Sequence, residues 1–551
     1  MGRWDDEEFS GAFGEAGTTA SEGAAAMAAV DISPAAALHR RAQYPTPTAL
    51  HYEGQEFSAA RLSRTAVELA AGLAEQGLRR GDRVAYLGLN SAAFFHTLFA
   101  AAHLGAVFIP VNFRLVAEEV RDILGDSGAH TLVVEEGHRG LVESIADDIP
   151  ARRRVLVDTD PACPAPATPP AGWTPLSLLL GPGRAARAPV PLYEDDLGVL
   201  MYTSGTTGRP KGVMLTHGNI WWNAVNVDSM VDTRSDDVNL AVAPLFHIGG
   251  LNALTLRTLL RGGTVVVRRA FDPAQCLDDL VRHRVTGLFA VPAMYAALSR
   301  VPGFAEADLS ALRSPIVAGA PVPPRLIHDW AERDVLLQQA WGLTETAPFA
   351  TYLPAALTRE KTGSAGAPMP YTEIRVVDPV TGDGIDEADI RGEICVRGPN
   401  VTPGYWNNPE ATAAAFDDAG WFHSGDIAHR DKDGFYYIVD RLKDMIISGG
   451  ENIYPAEVER VLTACPGVLE AAALGVPDPI WGETVLAVLT CAPGEEPTLE
   501  EVRAFAGRHL ADYKLPTRLL LLDRLPRNAS GKLVKAELRR MVASRPATDT
   551  L

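Results

Sequence analysis

Helical and strand-like spacings alternate along most of the chain. From Leu62 to Gln76, Leu62, Ala66, Leu69 and Leu73 recur at helical intervals, and Gly77 supplies a stop. Gly81 and Asp82 lead into an apolar run, Val84 to Leu89, that reads as a strand. Ser91 is an N-cap for the next helix and Gly105 its end, after which Ala106 to Val111 reads as another strand. A strand–helix–strand unit of this length predicts a parallel sheet covered by helices. The stretch Ala92 to Val111 is the most apolar long run, but His96, His103, Gly105 and Pro110 interrupt it. It is expected to be a buried helix and strand rather than a membrane span.

Between Pro161 and Pro191 the composition turns to Pro, Ala and Gly, which predicts a surface excursion. Alternation resumes at Leu197 and runs to about Asp440, with Thr264–Val267 and Gly287–Val291 as buried strands. The last hundred or so residues differ. Pro455 opens a helix with Val458, Val461 and Leu462 on one face. Leu469–Val476, Thr484–Thr490 and Leu519–Leu522 read as strands, and Thr498 with Glu501 forms a capping box. The expected class is α/β, with a large domain over residues 30–441 and a small α+β domain over 442–551. Residues 1–29, rich in Ala, Gly and Glu without apolar periodicity, are expected to be a disordered extension.

Length and charge narrow the function. A chain of 551 residues exceeds what one hydrophobic core organises. Fifty basic against 69 acidic residues give a net charge of −19, which speaks against general nucleic-acid binding but not against a local anion site. Five scattered cysteines, without metal-ligand or CxxC spacing, fit a reducing cytoplasm. No basic-then-apolar secretory leader opens the sequence, and no internal repeat stands out.

The strongest local motif is Tyr202-Thr203-Ser204-Gly205-Thr206-Thr207-Gly208-Arg209-Pro210-Lys211-Gly212. It follows the apolar run Leu197–Met201, and so is expected to be the loop leaving a strand. Its glycines let backbone N–H groups converge, and its hydroxyls and Lys211 add donors, which are the groups a polyphosphate needs. It is not a Walker A loop, because Pro210 stands where that pattern needs its second glycine. Further on, Trp341-Gly342-Leu343-Thr344-Glu345 combines a stacking face, a position of close backbone approach, a hydroxyl donor and a hard oxygen ligand. Trp421-Phe422-His423-Ser424-Gly425-Asp426 places a carboxylate after a tight turn, where it can accept from two ribose hydroxyls.

These motifs, in this order from about residue 35 to 540, resemble the adenylate-forming superfamily of acyl-CoA synthetases, adenylation domains and firefly luciferase, with bacterial fatty acyl-CoA ligases most alike. The resemblance implies a large N-terminal adenylate-forming domain of stacked sheets and helices, with a small mobile C-terminal domain. It implies ATP or AMP contacts at Thr203, Ser204, Gly205, Thr206, Thr207, Gly208, Lys211, Gly319, Ala320, Pro321, Trp341, Gly342, Thr344, Asp426, Arg441 and Lys532. Glu345 and Thr206 would hold Mg²⁺. Trp341 departs from the more usual Tyr, keeping the stacking surface and losing a hydroxyl.

By the same resemblance Lys443 is the hinge, and Lys532, in Pro526-Arg527-Asn528-Ala529-Ser530-Gly531-Lys532, is the catalytic lysine that bridges carboxylate and α-phosphate. Thr344, Glu345 and His247 are its catalytic partners. Ser448, Gly449, Gly450, Trp481 and Lys514 fall at CoA-contacting positions, although Ser448–Asn452 alone is equally an ordinary glycine turn. Trp222, Asn226, His247, Gly319 and Leu343 would line the acid pocket, and His247 alone reads equally as a structural residue. The implied activity is ATP-dependent carboxylic acid–CoA ligation through an acyl-adenylate, with a medium- or long-chain fatty acid as first choice. Loading of carrier-protein phosphopantetheine, or activation of an aryl or unusual acid for another nucleophile, is the alternative. A non-catalytic sensor fits the full motif set poorly. A homodimer is expected from base rates alone.

Overall fold

The structure, a computed structural model, describes residues 30–44, 48–181, 188–204, 210–448, 451–479, 481–527 and 533–544. The predicted strand–helix–strand unit is present. Arg83–Leu87 and Val107–Val111 lie parallel, with Arg83 opposite Val107, and helix Ala92–Leu104 connects them. Ser91 caps that helix by accepting from Phe94 N–H at 3.2 Å, and Gly105 ends it at φ 65°. Every side chain of the helix is buried, so it has no polar face and packs among other elements on all sides.

Two mixed sheets form the bulk of the large region. The first runs in the order Thr174–Pro175, Arg153–Val157, Thr131–Glu135, Arg83–Leu87, Val107–Val111, Leu197–Ser204 and Pro210–Thr216. The second contains Val238–Ala241, Thr264–Val267, Gly287–Ala290, Ser314–Val317 and Gln338–Gly342 as parallel strands. Phe349–Tyr352 adds antiparallel to Gln338–Gly342. A core of Phe95, Phe99, Leu62, Leu69, Leu245 and Val265 fills the space between the two sheets. Burying each such aromatic or aliphatic side chain contributes about 1.5–3 kcal/mol relative to exposure.

The Pro-rich excursion corrects one expectation. It is not wholly surface: Thr174–Pro175 extends the first sheet and Leu176–Leu179 forms a short helix, with Trp173, Leu176 and Leu179 buried. Composition misled because the few apolar residues that dock are diluted by the Pro and Ala around them. A Cβ on Gly72, in helix Ala59–Glu75, would sit 2.5 Å from the Leu179 carbonyl oxygen, so that helix meets the excursion backbone to backbone.

A third, antiparallel sheet, Glu373–Val377, Gly392–Arg397, Phe422–Arg430 and Tyr436–Arg441, follows. Beyond Arg441 comes a 3₁₀ turn, Leu442–Asp444, with Lys443 exposed, and then the last sheet. In it Val468–Asp478 pairs antiparallel with Gly482–Cys491, and Arg518–Leu521 joins Gly482–Cys491 in parallel. Helices Pro455–Thr463 and Leu499–Ala506 cover one face around Val458, Leu462 and Val502, and Thr498–Glu501 is capped reciprocally as predicted. The last unit rests on the third sheet through Asp440, whose Oδ2 accepts Ala456 N–H at 2.6 Å. Arg391 adds a contact, lying 4.8 Å from the Tyr454 ring and 3.4 Å from Glu457.

His96 and His217 are buried in the large region, and burial lowers each to about 4 from 6.5. Between those values the unfolded chain binds protons that the folded chain excludes, so stability falls as pH drops through the window from about 6.5 to 4. Melting temperatures recorded from pH 7 to 5 should fall, and the fall should be shallower in His96→Leu. An identical slope in the variant would contradict this.

Candidate active site

Loops at the carboxyl ends of the parallel strands in the second sheet gather several of the predicted residues, where open α/β sheets place ligands. His247 follows strand Val238–Ala241. Gly319-Ala320-Pro321 follows Ser314–Val317, with Gly319 at φ 85°. Trp341 and Gly342 close Gln338–Gly342, and Thr344–Thr346 is a 3₁₀ turn. Gly342 is required by a neighbour in the protein itself: a Cβ there would lie 1.8 Å from the Pro348 carbonyl oxygen, and Leu343 N–H donates to that oxygen at 3.1 Å.

Buried amides shape this turn. Asn400 donates to the carbonyls of Thr346 and Phe349 at 2.8 and 3.0 Å and accepts from Thr372 at 2.8 Å. Asn252 donates to Ala347 O at 2.6 Å, and Asn223 accepts from Phe349 N–H at 3.2 Å. All three asparagines are essentially inaccessible. None was singled out from sequence, since isolated asparagines carry no spacing signal.

Thr203, Ser204 and Lys211 prove to be strand residues rather than loop residues. They belong to the hairpin Leu197–Ser204/Pro210–Thr216, in which Thr203 faces Lys211. Gly205, Thr206, Thr207 and Gly208, which follow in sequence, lie outside the described residues. The segment Thr402–Trp406 ties this hairpin to the 3₁₀ turn. Thr402 N–H donates to Glu345 O at 2.8 Å and Trp406 N–H to Gly212 O at 2.8 Å. Tyr405, also missed from sequence, then links two charges. Its hydroxyl donates to Glu345 Oε1 at 2.9 Å, while Lys211 Nζ stands 5.2 Å from its ring centre. Burial raises the Glu345 carboxyl above its ordinary value, while the Tyr405 hydrogen bond and the Arg441 charge work against that rise.

The third sheet contributes a carboxylate. Asp426, 3% exposed, stands opposite Arg441 across two antiparallel strands, with Arg441 Nε 2.5 Å from Oδ1. Trp341 Nε1–H donates to Asp426 Oδ2 at 2.8 Å. The indole that replaces a phenol in this motif thus supplies a donor that fixes the carboxylate. Two chains result, Lys211–Tyr405–Glu345 and Trp341–Asp426–Arg441, and the charges of Arg441 and Asp426 both act on Glu345.

His247 lies against Phe246, which meets Phe113 at 5.4 Å. Its Nε2 is buried without a hydrogen-bond partner among the described residues, and burial holds the ring neutral, near 4. An orphaned polar atom among aromatic rings suits an organic ligand with one polar group. Leu343 packs partly buried beside Trp341. Trp222 instead donates to Glu194 at 3.2 Å and lies against Tyr371. Asn226 spends both polar ends on Tyr371 N–H, at 2.9 Å, and Thr372, at 3.1 Å.

In the last unit, Trp481 is 57% exposed. Lys514 Nζ is bound by both Glu457 oxygens at 2.9 Å. Ser448 pairs with Glu451 and Gly482. Gly449, Gly450 and Lys532 lie outside the described residues.

Residues 38–406 match the AMP-binding enzyme family and residues 457–532 its C-terminal domain. A feruloyl-CoA synthase of Amycolatopsis is 46% identical over 502 residues, covering 91% of this chain and 97% of that protein. A long-chain-fatty-acid–CoA ligase of Mycobacterium tuberculosis is 38% identical over 483 residues, covering 87% and 92%. The solved o-succinylbenzoate CoA synthetase of Bacillus subtilis, in complex with its acyl-adenylate intermediate, superimposes with a TM-score of 0.79 at 34% identity, covering 91% and 97%. The chain belongs to the AMP-binding enzyme family, within the adenylate-forming superfamily. It is an AMP-forming acid–thiol ligase. Among the described residues, no helix is long and apolar enough to cross a membrane.

Trp341→Phe retains an aromatic face and removes the donor to Asp426. AMP affinity should drop by about 10-fold, the scale of one hydrogen bond to a charged group. Titration calorimetry checks this, and unchanged affinity would contradict the role given to the indole.

Proposed function

We propose that this ligase condenses an aromatic carboxylic acid with CoA in two steps, at a site assembled around Glu345 and Asp426. The observation that carries the reading is the pair of chains Lys211–Tyr405–Glu345 and Trp341–Asp426–Arg441, near enough for the charges of Arg441 and Asp426 to act on Glu345, which supports assigning phosphate, metal and ribose contacts to one place. Trp341 offers the base a face, and Asp426 keeps lone pairs for the ribose hydroxyls. Lys211, with Thr203 opposite it and the glycine loop between, meets the phosphates. The half-buried Glu345 carboxylate is a hard oxygen donor of the kind Mg²⁺ takes, together with substrate phosphates. Bound there, Mg²⁺ would neutralise phosphate charge.

The acid's carboxylate oxygen attacks the α-phosphorus of ATP and pyrophosphate leaves. Lys532 is assigned to offset the negative charge that grows in that step. Rotation about Lys443 then exchanges Lys532 for the Gly449–Gly450 segment. The CoA thiol attacks the acyl carbonyl, its proton passes to solvent, and AMP departs. The exposure of Lys443 within a short 3₁₀ turn suits a pivot, since no core breaks when its dihedrals change. Lys514, paired with Glu457, would have to part from that carboxylate to meet CoA.

The 46% identity to a feruloyl-CoA synthase, against 38% to a fatty-acid ligase, supports an aromatic acid over the fatty acid first expected. The neutral His247, set among Phe246 and Phe113, supports the same choice. A fatty acid is the second reading, and a cytoplasmic location fits both. Pyrophosphate release should be fastest with hydroxycinnamic acids in a panel that also holds medium- and long-chain fatty acids; faster turnover of a fatty acid would reverse the order.

Lys532→Ala should slow adenylation by at least ~10²-fold and largely spare thioester formation from supplied acyl-adenylate. Equal loss in both steps, by rapid quench, would remove its assigned role. A bulky residue at Gly449 should impair thiolation and spare acid-dependent pyrophosphate exchange. Intact CoA turnover would contradict the place given to Gly449 in the thiol step.

A further inference from the structure

The third sheet also carries a donor set that the ligase chemistry does not use. Glu393 and Cys395 stand two residues apart on strand Gly392–Arg397, so their side chains share a face. His423, on Phe422–Arg430, stands opposite Cys395 in register. His423 Nδ1 lies 2.8 Å from Glu393 Oε2 and 3.5 Å from Cys395 Sγ, and one donor atom from each of the three residues falls within 4.8 Å of the others. Cys395 and Glu393 are buried, and the His423 side chain is 29% exposed, leaving an approach from solvent.

We propose that Glu393, Cys395 and His423 form a binding site for one thiophilic divalent cation of the zinc class. A tetrahedral zinc with bonds of about 2.0–2.3 Å spaces nitrogen, oxygen and sulfur donors about 3.3–3.6 Å apart. The sulfur–nitrogen separation already fits, and the carboxylate–imidazole pair needs to open by only about 0.5 Å. A thiol, an imidazole and a single carboxylate select zinc-like ions over Mg²⁺ or Ca²⁺, and water fills the fourth position. On binding, the Cys395 thiol gives its proton to solvent and the His423 proton moves from Nδ1 to Nε2. The nearby cation, Arg375, is ion-paired with Asp417 and so opposes the metal only weakly.

The site adjoins the nucleotide group. Glu393 Oε1 accepts Gly425 N–H at 2.9 Å, immediately before Asp426. Drawing Glu393 toward a metal loosens that bond, so an occupied site weakens nucleotide binding. This second effect rests on the reading of Asp426 as the ribose contact; the metal site does not.

Full-length protein in thiol-free buffer, titrated with Co²⁺, should take up one equivalent and show thiolate-to-cobalt absorption in the near ultraviolet. That band should vanish in Cys395→Ser. Zn²⁺ affinity by chelator competition should fall at least ~10-fold in Cys395→Ser and in His423→Gln, the lower end of what even outer partners contribute. Circular dichroism checks that each variant is folded. The same band and affinity in either folded variant, or no uptake by the native chain, overturns the site. One equivalent of Zn²⁺ should also weaken AMP binding to the native chain but not to Cys395→Ser. Equal AMP affinity with and without bound Zn²⁺ overturns the coupling.

Discussion

One carboxylate holds the site together. Asp426 belongs to the antiparallel third sheet, yet it receives the indole N–H of Trp341 from the end of a parallel strand in another sheet. Arg441, the last residue before the connecting turn, occupies its other oxygen. A buried carboxylate without such partners would cost several kcal/mol or take up a proton. The indole N–H and the Arg441 charge hold the carboxylate in one orientation at the seam between the sheets.

The second constraint is the amide framework beneath the turn Thr344–Phe349. Asn223, Asn252 and Asn400 take up backbone groups that a tight turn in a buried setting leaves exposed. Tyr405 completes the arrangement by bridging Glu345 to the hairpin that bears Lys211. Asn223 and Asn400 each bond two segments and Asn252 adds a third brace, so the turn is held from several sides. The hydrogen-bonded groups among the described site residues therefore sit on sheet ends and on a braced turn.

Much of this was legible in the sequence, for identifiable reasons. Ser91 and Gly105 mark helix ends because capping and left-handed backbone demand particular residues. The ordered motifs with Lys211, Trp341, Asp426 and Arg441 are legible because each holds residue types rarely combined by chance. What escaped depends on three-dimensional neighbours. Tyr405 and the buried asparagines act through partners up to about two hundred residues away, and no local period announces them. Leu176 and Leu179 were hidden by a Pro-rich setting, although a few buried side chains suffice to dock a segment. The pairing of Lys514 with Glu457, 57 residues away, likewise had no local signal.

The most direct test is a crystal structure of the chain with AMP and a carboxylic acid, or with the acyl-adenylate. The account predicts the ribose hydroxyls on Asp426, the base against Trp341 and the phosphate between Lys211 and Thr344. A nucleotide bound elsewhere, with Asp426 still held by Trp341 and Arg441 and touching no ligand, would contradict it.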